Sequence, residues 1–173
     1  AGEIFQNNPF ILPAFAQYVT DHAADGSRYL IDTYCGAGLF SLTSADQFER
    51  VIGIEVSAAA VTLADSNAAL NGIRNADFRN GEAEAIFDEV AEFPGDQTSV
   101  IIDPPRRGCD EGFLSQLSAY SPRCIVYVSC DPSTQARDLK ILQESGYGIV
   151  EIQPFDLFPQ TRHIENVAVL RRL

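Results

Sequence analysis

Two hydrophobic rhythms alternate along the chain. Short runs at 29–31, 51–54, 99–102 and 124–128 are apolar at nearly consecutive positions, and each runs into a polar residue: Asp32, Glu55, Asp103 and Ser129. Runs of this length and kind read as strands buried on both faces. Between them lie longer segments with helical spacing. In 11–24 the apolar residues are Ile11, Leu12, Ala14, Phe15, Tyr18 and Val19, with Pro9 and Pro13 near the start, where proline is tolerated. Further helices are predicted at 39–45, 58–70, 82–90, 111–119 and 132–144, with Asn71-Gly72 and Ser145-Gly146 as stop signals. A short strand is expected at 76–80. Two final strands, 147–154 and 166–171, are separated by only about ten residues that include Pro159 and carry no helical pattern. They are expected to pair antiparallel.

Alternating strands and helices predict an α/β domain, with a mostly parallel sheet covered by helices on both faces. With 173 residues and 46% hydrophobic content, the chain suffices for one domain, 1–173, with one sizeable core. The net charge of −12 opposes binding to a nucleic-acid backbone, which is driven by cations. Any nucleic-acid role therefore requires basic surface supplied elsewhere. No window is long and apolar enough to span a membrane, and the start carries no secretory signal pattern. The chain opens at Ala1 and contains no Met, as expected of a piece of a longer protein. Cys35, Cys109, Cys124 and Cys130 form no Cys-x-x-Cys pair, and only His22 and His163 accompany them, so no metal site is expected. A domain of this size needs no disulfides, which favours an intracellular reducing compartment without distinguishing cytoplasm, nucleus or mitochondrion.

Candidate chemistry gathers at three strand ends, the edge where open α/β sheets place their sites. The first is Asp32-Thr33-Tyr34-Cys35-Gly36-Ala37-Gly38, a glycine turn between a strand and a helix. Alone it is a weak signal, because position 41 is Ser rather than the third glycine of a dinucleotide fingerprint. Glu55 strengthens it: 17 positions past Gly38 and at the end of the next strand, it is placed to accept hydrogen bonds from ribose hydroxyls. Glu82 could reach an adenine amino group, or could be a solvated carboxylate at a helix start. An antiparallel strand at the end of such a sheet is unusual for dinucleotide-binding Rossmann domains and marks the methyltransferase variant. Together these segments resemble the cofactor site of the Rossmann-like, class I S-adenosylmethionine-dependent methyltransferases. An acidic rim suits a sulfonium cation better than a pyrophosphate.

The other two strand ends are Asp103-Pro104-Pro105-Arg106-Arg107-Gly108 and Ser129-Cys130-Asp131-Pro132-x-Thr134-x-Ala136-Arg137-Asp138-Leu139. With Phe5-Gln6-Asn7-Asn8 before them and His163-Ile164-Glu165-Asn166-Val167 after, the ordered set resembles the RNA uracil-5-methyltransferase family, its transfer-RNA members in particular. The resemblance covers 5–170. It implies S-adenosylmethionine as cofactor, RNA as substrate, Cys130 as nucleophile and Glu165 as general base. It also implies that Gln6 helps to hold the cofactor and that Asp103 lies between cofactor and target base. Tyr34, Gly36, Gly38, Glu55 and Glu82 complete the expected cofactor set, and Arg106 joins Asp103 toward the substrate. Relatives carry an N-terminal RNA-binding portion and a central insertion that these residues lack, and Asp131 stands where many relatives have Asn.

The chemistry asks for these residue types independently. C5 of uracil is a poor nucleophile until a thiolate adds to C6 and gives it carbanion character. A base must then remove the C5 proton so that the thiolate can leave. One soft nucleophile and one carboxylate suffice. A helix beginning just after Cys130, with Arg106 or Arg137 nearby, is expected to favour the thiolate. A nitrogen-directed methyltransferase would want an aromatic residue in place of Arg106 and would leave Cys130 without a purpose. A nicotinamide-dependent oxidoreductase would want the third glycine. A silent binding domain would be signalled by loss of the Cys or the Glu, and both are present.

Overall fold

The computed structural model describes residues 8, 10–83, 86–90, 92–161 and 164–173. Seven strands are present among them: β1 (Tyr29–Thr33), β2 (Arg50–Glu55), β3 (Ala76–Asn80), β4 (Thr98–Ile102), β5 (Cys124–Ser129), β6 (Tyr147–Phe155) and β7 (Glu165–Arg172). They form one sheet in the order β3-β2-β1-β4-β5-β7-β6. β1 to β5 are parallel, whereas β7 runs antiparallel between β5 and β6. Strand order reverses between β1 and β4, and this is where a crevice opens at the carboxyl edge of an open α/β sheet. The fold matches the α/β expectation, including the antiparallel terminal pair.

The helices are α1 (Leu12–Ala23), α2 (Leu39–Thr43), α3 (Ala58–Leu70), α4 (Ile86–Glu89), α5 (Glu111–Tyr120) and α6 (Pro132–Glu144). One face of the sheet is covered by Phe15, Val19 and Ala23 of α1, spaced four apart, with Phe40 of α2. Phe15 meets Phe40 and Phe155 edge-on, with ring centroids 5.6 and 5.2 Å apart. The other face is covered by Ile86, Phe113, Leu114, Leu117, Leu139 and Leu142 of α4, α5 and α6. Each such side chain contributes roughly 1.5–3 kcal/mol by leaving water. α3 buries the alanine stripe Ala60, Ala64 and Ala68, which lets it lie close on β2 and β3. β4 and β5, buried at every position, are the centre of the sheet, as their unbroken apolar runs require.

Three helices start directly at the carboxyl edge with side-chain caps. Ser57 Oγ accepts from Ala60 N, Asp110 Oδ1 from Phe113 N, and Asp131 Oδ1 from Ser133 N and Thr134 N. Caps of this kind contribute about 1 kcal/mol each and keep the strand-to-helix turns short. Two expectations change. The predicted helix 39–45 stops at Thr43, and the chain tightens into a 3₁₀ turn at Ala45–Gln47, where Ser44 Oγ pairs with Thr20 Oγ1 at 2.9 Å. The predicted helix 82–90 is, among the described residues, only α4. The chain before it is tied to β2 instead: Asn80 Nδ2 donates to the Glu55 and Val56 carbonyls, and Gly81 N to Glu55 O. Glu82 thus lies on a cleft wall rather than within a helix.

Candidate active site

The turn from β1 into α2 passes through three left-handed residues, Tyr34 (φ 62°), Gly36 (φ 53°) and Gly38 (φ 89°). At Gly38 the backbone angle demands glycine, and a Cβ there would press on the Phe78 ring at 3.1 Å. The turn is tied to the end of β2 by Glu55, whose carboxylate accepts from Gly36 N at 3.1 Å and from Ser57 N at 2.8 Å. A carboxylate has about four acceptor sites, so Glu55 keeps capacity for a ligand. In front of it opens a cleft of about 410 Å³, lined by Tyr34, Ile54, Glu55, Val56, Gly81, Glu82, Ala83, Arg107 and Asp110. Val56 stands 71% exposed on this wall, an apolar surface beside the carboxylates.

Behind the turn, Asp32 is fully buried. Its Oδ2 accepts from the Ser41 amide at 2.9 Å and the Ser41 hydroxyl at 2.6 Å, while Oδ1 has no partner. Burial pushes its pKa up to about 7, the Ser41 hydrogen bonds oppose that rise, and the Glu55 charge adds to it. Ser41, where a third glycine was absent, thus serves to hold Asp32.

The second half of the edge carries Asp103, Arg106, Cys130 and Glu165. β5 and β7 are paired with Val128 opposite Val167 and Ser129 opposite Asn166. The next residue of each strand is Cys130 and Glu165, which are therefore neighbours although 35 residues separate them in sequence, and the Glu165 charge acts on the thiol. Cys130 keeps partial exposure, whereas Glu165 is buried. The positive charge of Arg106 acts on the Cys130 thiol. Desolvation, then the Glu165 charge, raise the Cys130 thiol above its ordinary pKa, and Arg106 pulls the other way. Glu165 is raised by burial and restrained by Arg106. Asp103 is raised well above the carboxylate range by burial and by the charges of Glu165 and Asp32.

The side chains behind this pair are locked. Gln135 of α6, buried, donates through Nε2 to Tyr127 O at 2.9 Å and Asn166 O at 3.2 Å, and its Oε1 accepts from Asn166 Nδ2. It therefore bridges β5 and β7 directly beneath Cys130 and Glu165.

The sequence-predicted residues thus fall into two neighbouring groups on one edge. Tyr34, Glu55 and Glu82 line the cleft, with Gly36 and Gly38 shaping its turn; Asp103, Arg106, Cys130 and Glu165 form the adjoining cluster. Gln6 and His163 lie outside the described residues. Two expectations are corrected. The thiol is raised rather than lowered: burial and the charges of Glu165 and Asp103 outweigh Arg106. Of the two arginines, only Arg106 acts at Cys130. Arg137 is engaged with Asp138 and the loop carbonyls of Arg107 and Cys109. The sequence reading missed Gln135, Asn166, Arg107 and Asp110. Gln135 and Asn166 stand inside quoted motifs, but a neutral amide carries no sequence signal until its partners are adjacent.

Known proteins resemble this chain in sequence and in fold. A family model described as tRNA (uracil-5-)-methyltransferase matches residues 2–173. Two curated relatives, each called tRNA (uracil(54)-C(5))-methyltransferase, from Saccharomyces cerevisiae and Schizosaccharomyces pombe, are each 46% identical over the whole chain and cover 29% and 35% of their own lengths. The chain thus spans about a third of the length of these relatives. The solved structure of Pyrococcus abyssi tRNA (uracil-54, C5)-methyltransferase in complex with S-adenosyl-L-homocysteine is 33% identical, with a TM-score of 0.85 over 98% of this chain and 40% of that one. A Geobacter metallireducens precorrin-6y C5,15-methyltransferase, 12% identical with a TM-score of 0.76, shares the fold alone. On the match of the family model across nearly its full length and on identity to the yeast enzymes, the chain belongs to the tRNA (uracil-5-)-methyltransferase family.

Proposed function

We propose that the chain is the catalytic domain of an S-adenosylmethionine-dependent enzyme that methylates C5 of a uridine in transfer RNA, through a covalent bond between Cys130 and C6. The observation that carries the reading is that the β5–β7 register ends at Ser129 opposite Asn166, so the next residue of each strand, Cys130 and Glu165, reaches the same place, where the charges of Glu165 and Arg106 both act on the thiol.

The cleft fits the cofactor. Glu55, Asp32, Asp103 and Glu165 stand at the ends of β2, β1, β4 and β7, each close enough to a neighbour to raise a pKa. Such a line of carboxylates favours a ligand that carries positive charge, and the unpartnered Asp32 Oδ1 is an acceptor held inside it. Glu55 would hold ribose hydroxyls, Glu82 the adenine amino group, and the Gly36–Gly38 turn the chain between them; Gln6 is assigned to the same ligand. When bound, S-adenosylmethionine would supply an electrophilic methyl group to C5, the electron pair of the broken S–CH3 bond remaining on the cofactor sulfur.

The chain's residues do the rest. Arg106 stabilises the Cys130 thiolate as it forms, and the sulfur adds to C6, which moves the ring electrons onto C5 and O4. Asp103 would lie between the two ligands. After methyl transfer Glu165 takes the C5 proton, the C5=C6 bond re-forms, and the Cys130 sulfur leaves as thiolate. The target uridine must be unstacked for the thiol to approach its ring face. The grip on the RNA backbone is assigned to parts of the protein beyond these 173 residues, because this domain carries a net charge of −12.

The test uses the full-length protein with S-adenosylmethionine and transfer RNA containing 5-fluorouridine. Fluorine at C5 cannot leave as a proton, so a methylated covalent complex should accumulate, and peptide mass spectrometry should find it on Cys130. Cys130→Ala should lose the complex and at least about 10⁴-fold in turnover while still binding cofactor. A complex on another residue, or none despite cofactor binding, sinks the mechanism for this RNA.

A further inference from the structure

The loop that carries Arg106 is held in an unusual way. It leaves β4 at Asp103 and reaches Cys109, with one internal turn in which Gly108 N donates to Pro105 O at 2.8 Å. Among the described residues, further backbone hydrogen bonds of the loop run to side chains of the first two turns of α6. The Thr134 hydroxyl lies 3.0 Å from Arg106 O, a donation it shares with Asp131 O at 3.1 Å. Arg137 Nη2 donates to the carbonyls of Arg107 and Cys109, both at 3.0 Å. Asp138, fully buried, accepts from Cys109 N at 2.8 Å, from the Tyr127 hydroxyl at 2.6 Å and from Arg137 Nε at 2.9 Å. At Gly108 (φ +76°) a Cβ would come within 2.6 Å of Asp138 Oδ2 and 2.7 Å of Arg137 Nη2, so the loop closes on the helix as tightly as a glycine allows.

A buried carboxylate surrounded by three donors is costly unless each is placed well, and none of these contacts involves Cys130 or the cleft. What it and its neighbours do touch is the stretch of backbone that flanks Arg106. The helix that starts one residue after Cys130 therefore also anchors the loop that brings a cation to that sulfur. We propose that Thr134, Arg137 and Asp138 are positioning residues: a clamp on α6 that fixes the 103–109 loop and so holds Arg106 against the Cys130 sulfur.

The groups facing that sulfur are Arg106 from the loop, Asp103 from the end of β4 and Glu165 from β7. Both carboxylates oppose the thiolate, and among the charged side chains of the described residues Arg106 favours it. Loosening the loop therefore leaves the opposition in place and removes the support, and the thiol's titration moves to higher pH. The functional meaning rests on Cys130 being the nucleophile, but the thiol can be titrated whether or not it is.

The experiment follows alkylation of Cys130 by iodoacetamide in the full-length protein from pH 6 to pH 10, read by peptide mass spectrometry. The other three cysteines are buried and serve as internal references. Arg106→Ala defines the full effect. Arg137→Ala and Thr134→Val should each move the profile of Cys130 alkaline by about half a pH unit, a roughly threefold slower reaction at neutral pH. Asp138→Asn should move it further. The Arg137 side chain is half exposed, so its variant is expected to fold even if Asp138→Asn does not. In the double variant Arg106→Ala, Arg137→Ala, the second change should add nothing, because its effect runs through the first. Profiles of Arg137→Ala and Thr134→Val that superimpose on wild type, or a shift that adds to that of Arg106→Ala, overturn the clamp. Failure of the fluorouridine complex with these shifts intact would instead overturn the catalytic reading and leave the clamp standing.

Discussion

The two halves of the carboxyl edge are built on different principles. In the cofactor half, Tyr34, Gly36, Glu55 and Glu82 come from successive strand ends of a parallel run, and Glu55 is fastened by backbone amides of the two adjoining turns. In the reaction half, Asp103, Arg106, Cys130 and Glu165 come from three strands, one of them reversed, and each carboxylate is buried enough to be raised by its surroundings. The first half is a cradle that a local stretch of chain can form. The second is a set of mutually opposed charges that only a rigid sheet, bridged by Gln135 and anchored by α6, can hold together. Binding calls for open acceptors at the rim, whereas proton transfer near neutral pH calls for groups whose pKa values have been displaced by burial.

The sharpest way to break that comparison is at Glu165. Glu165→Gln should let the thiol add and the methyl group transfer but stop release, so turnover falls by about 10² to 10⁴ while a methylated covalent complex accumulates on unmodified transfer RNA. In the wild-type enzyme the acid limb of kcat should lie above the usual carboxylate range, because burial raises Glu165. Activity should be low where that group is protonated and rise with pH through its pKa; the variant should lack the limb. A variant that turns over normally assigns the base elsewhere.

Glu55→Ala tests the other half. It should weaken cofactor binding by roughly 10- to 100-fold, the loss expected for about 1.4–3 kcal/mol of charge-assisted hydrogen bonding. Calorimetry with S-adenosylhomocysteine reads this directly. Alkylation of Cys130 should be unchanged, and a change there would show that the halves are not separable.

The remaining effect is on stability rather than on binding or turnover. Asp32 titrates at about 7 when folded, above its value in an unfolded chain. A raised acid adds stability that is fully present below the unfolded pKa and is lost as pH rises through the folded one. Denaturation of the ligand-free protein should therefore show stability falling between about pH 4 and pH 7, by at most about 4 kcal/mol from this group. Asp32→Asn should flatten that slope. A cofactor with a cation near Asp32 should flatten it too, by favouring the charged carboxylate.

Much of this architecture was legible in the residues. The buried runs that become β2, β4 and β5, and the stop at Asn71-Gly72 that ends α3, follow from hydrophobic period and from turn chemistry that acts within a few residues. Strand-end placement alone put Cys130 and Asp103 on the working edge. The helix at 82–90 was misread because its composition is helical, whereas Asn80 and Gly81 are captured by the end of β2, a partner 25 residues away. Arg106 and Arg137 looked interchangeable for the same reason. Both are cations near one motif, and only the packed loop shows one turned to sulfur and the other to carbonyls.

By itself, then, the sequence determined the alternation of elements, the glycine turn at 36–38 and the types of group available, because periodicity and backbone sterics are local. Tertiary structure alone decided that Glu165 lies opposite Cys130, that the thiol begins raised rather than lowered, and that α6 anchors the loop of Arg106. Register across an antiparallel pair and the cost of burying charge both depend on residues distant in the chain, and neither exists until the sheet has closed.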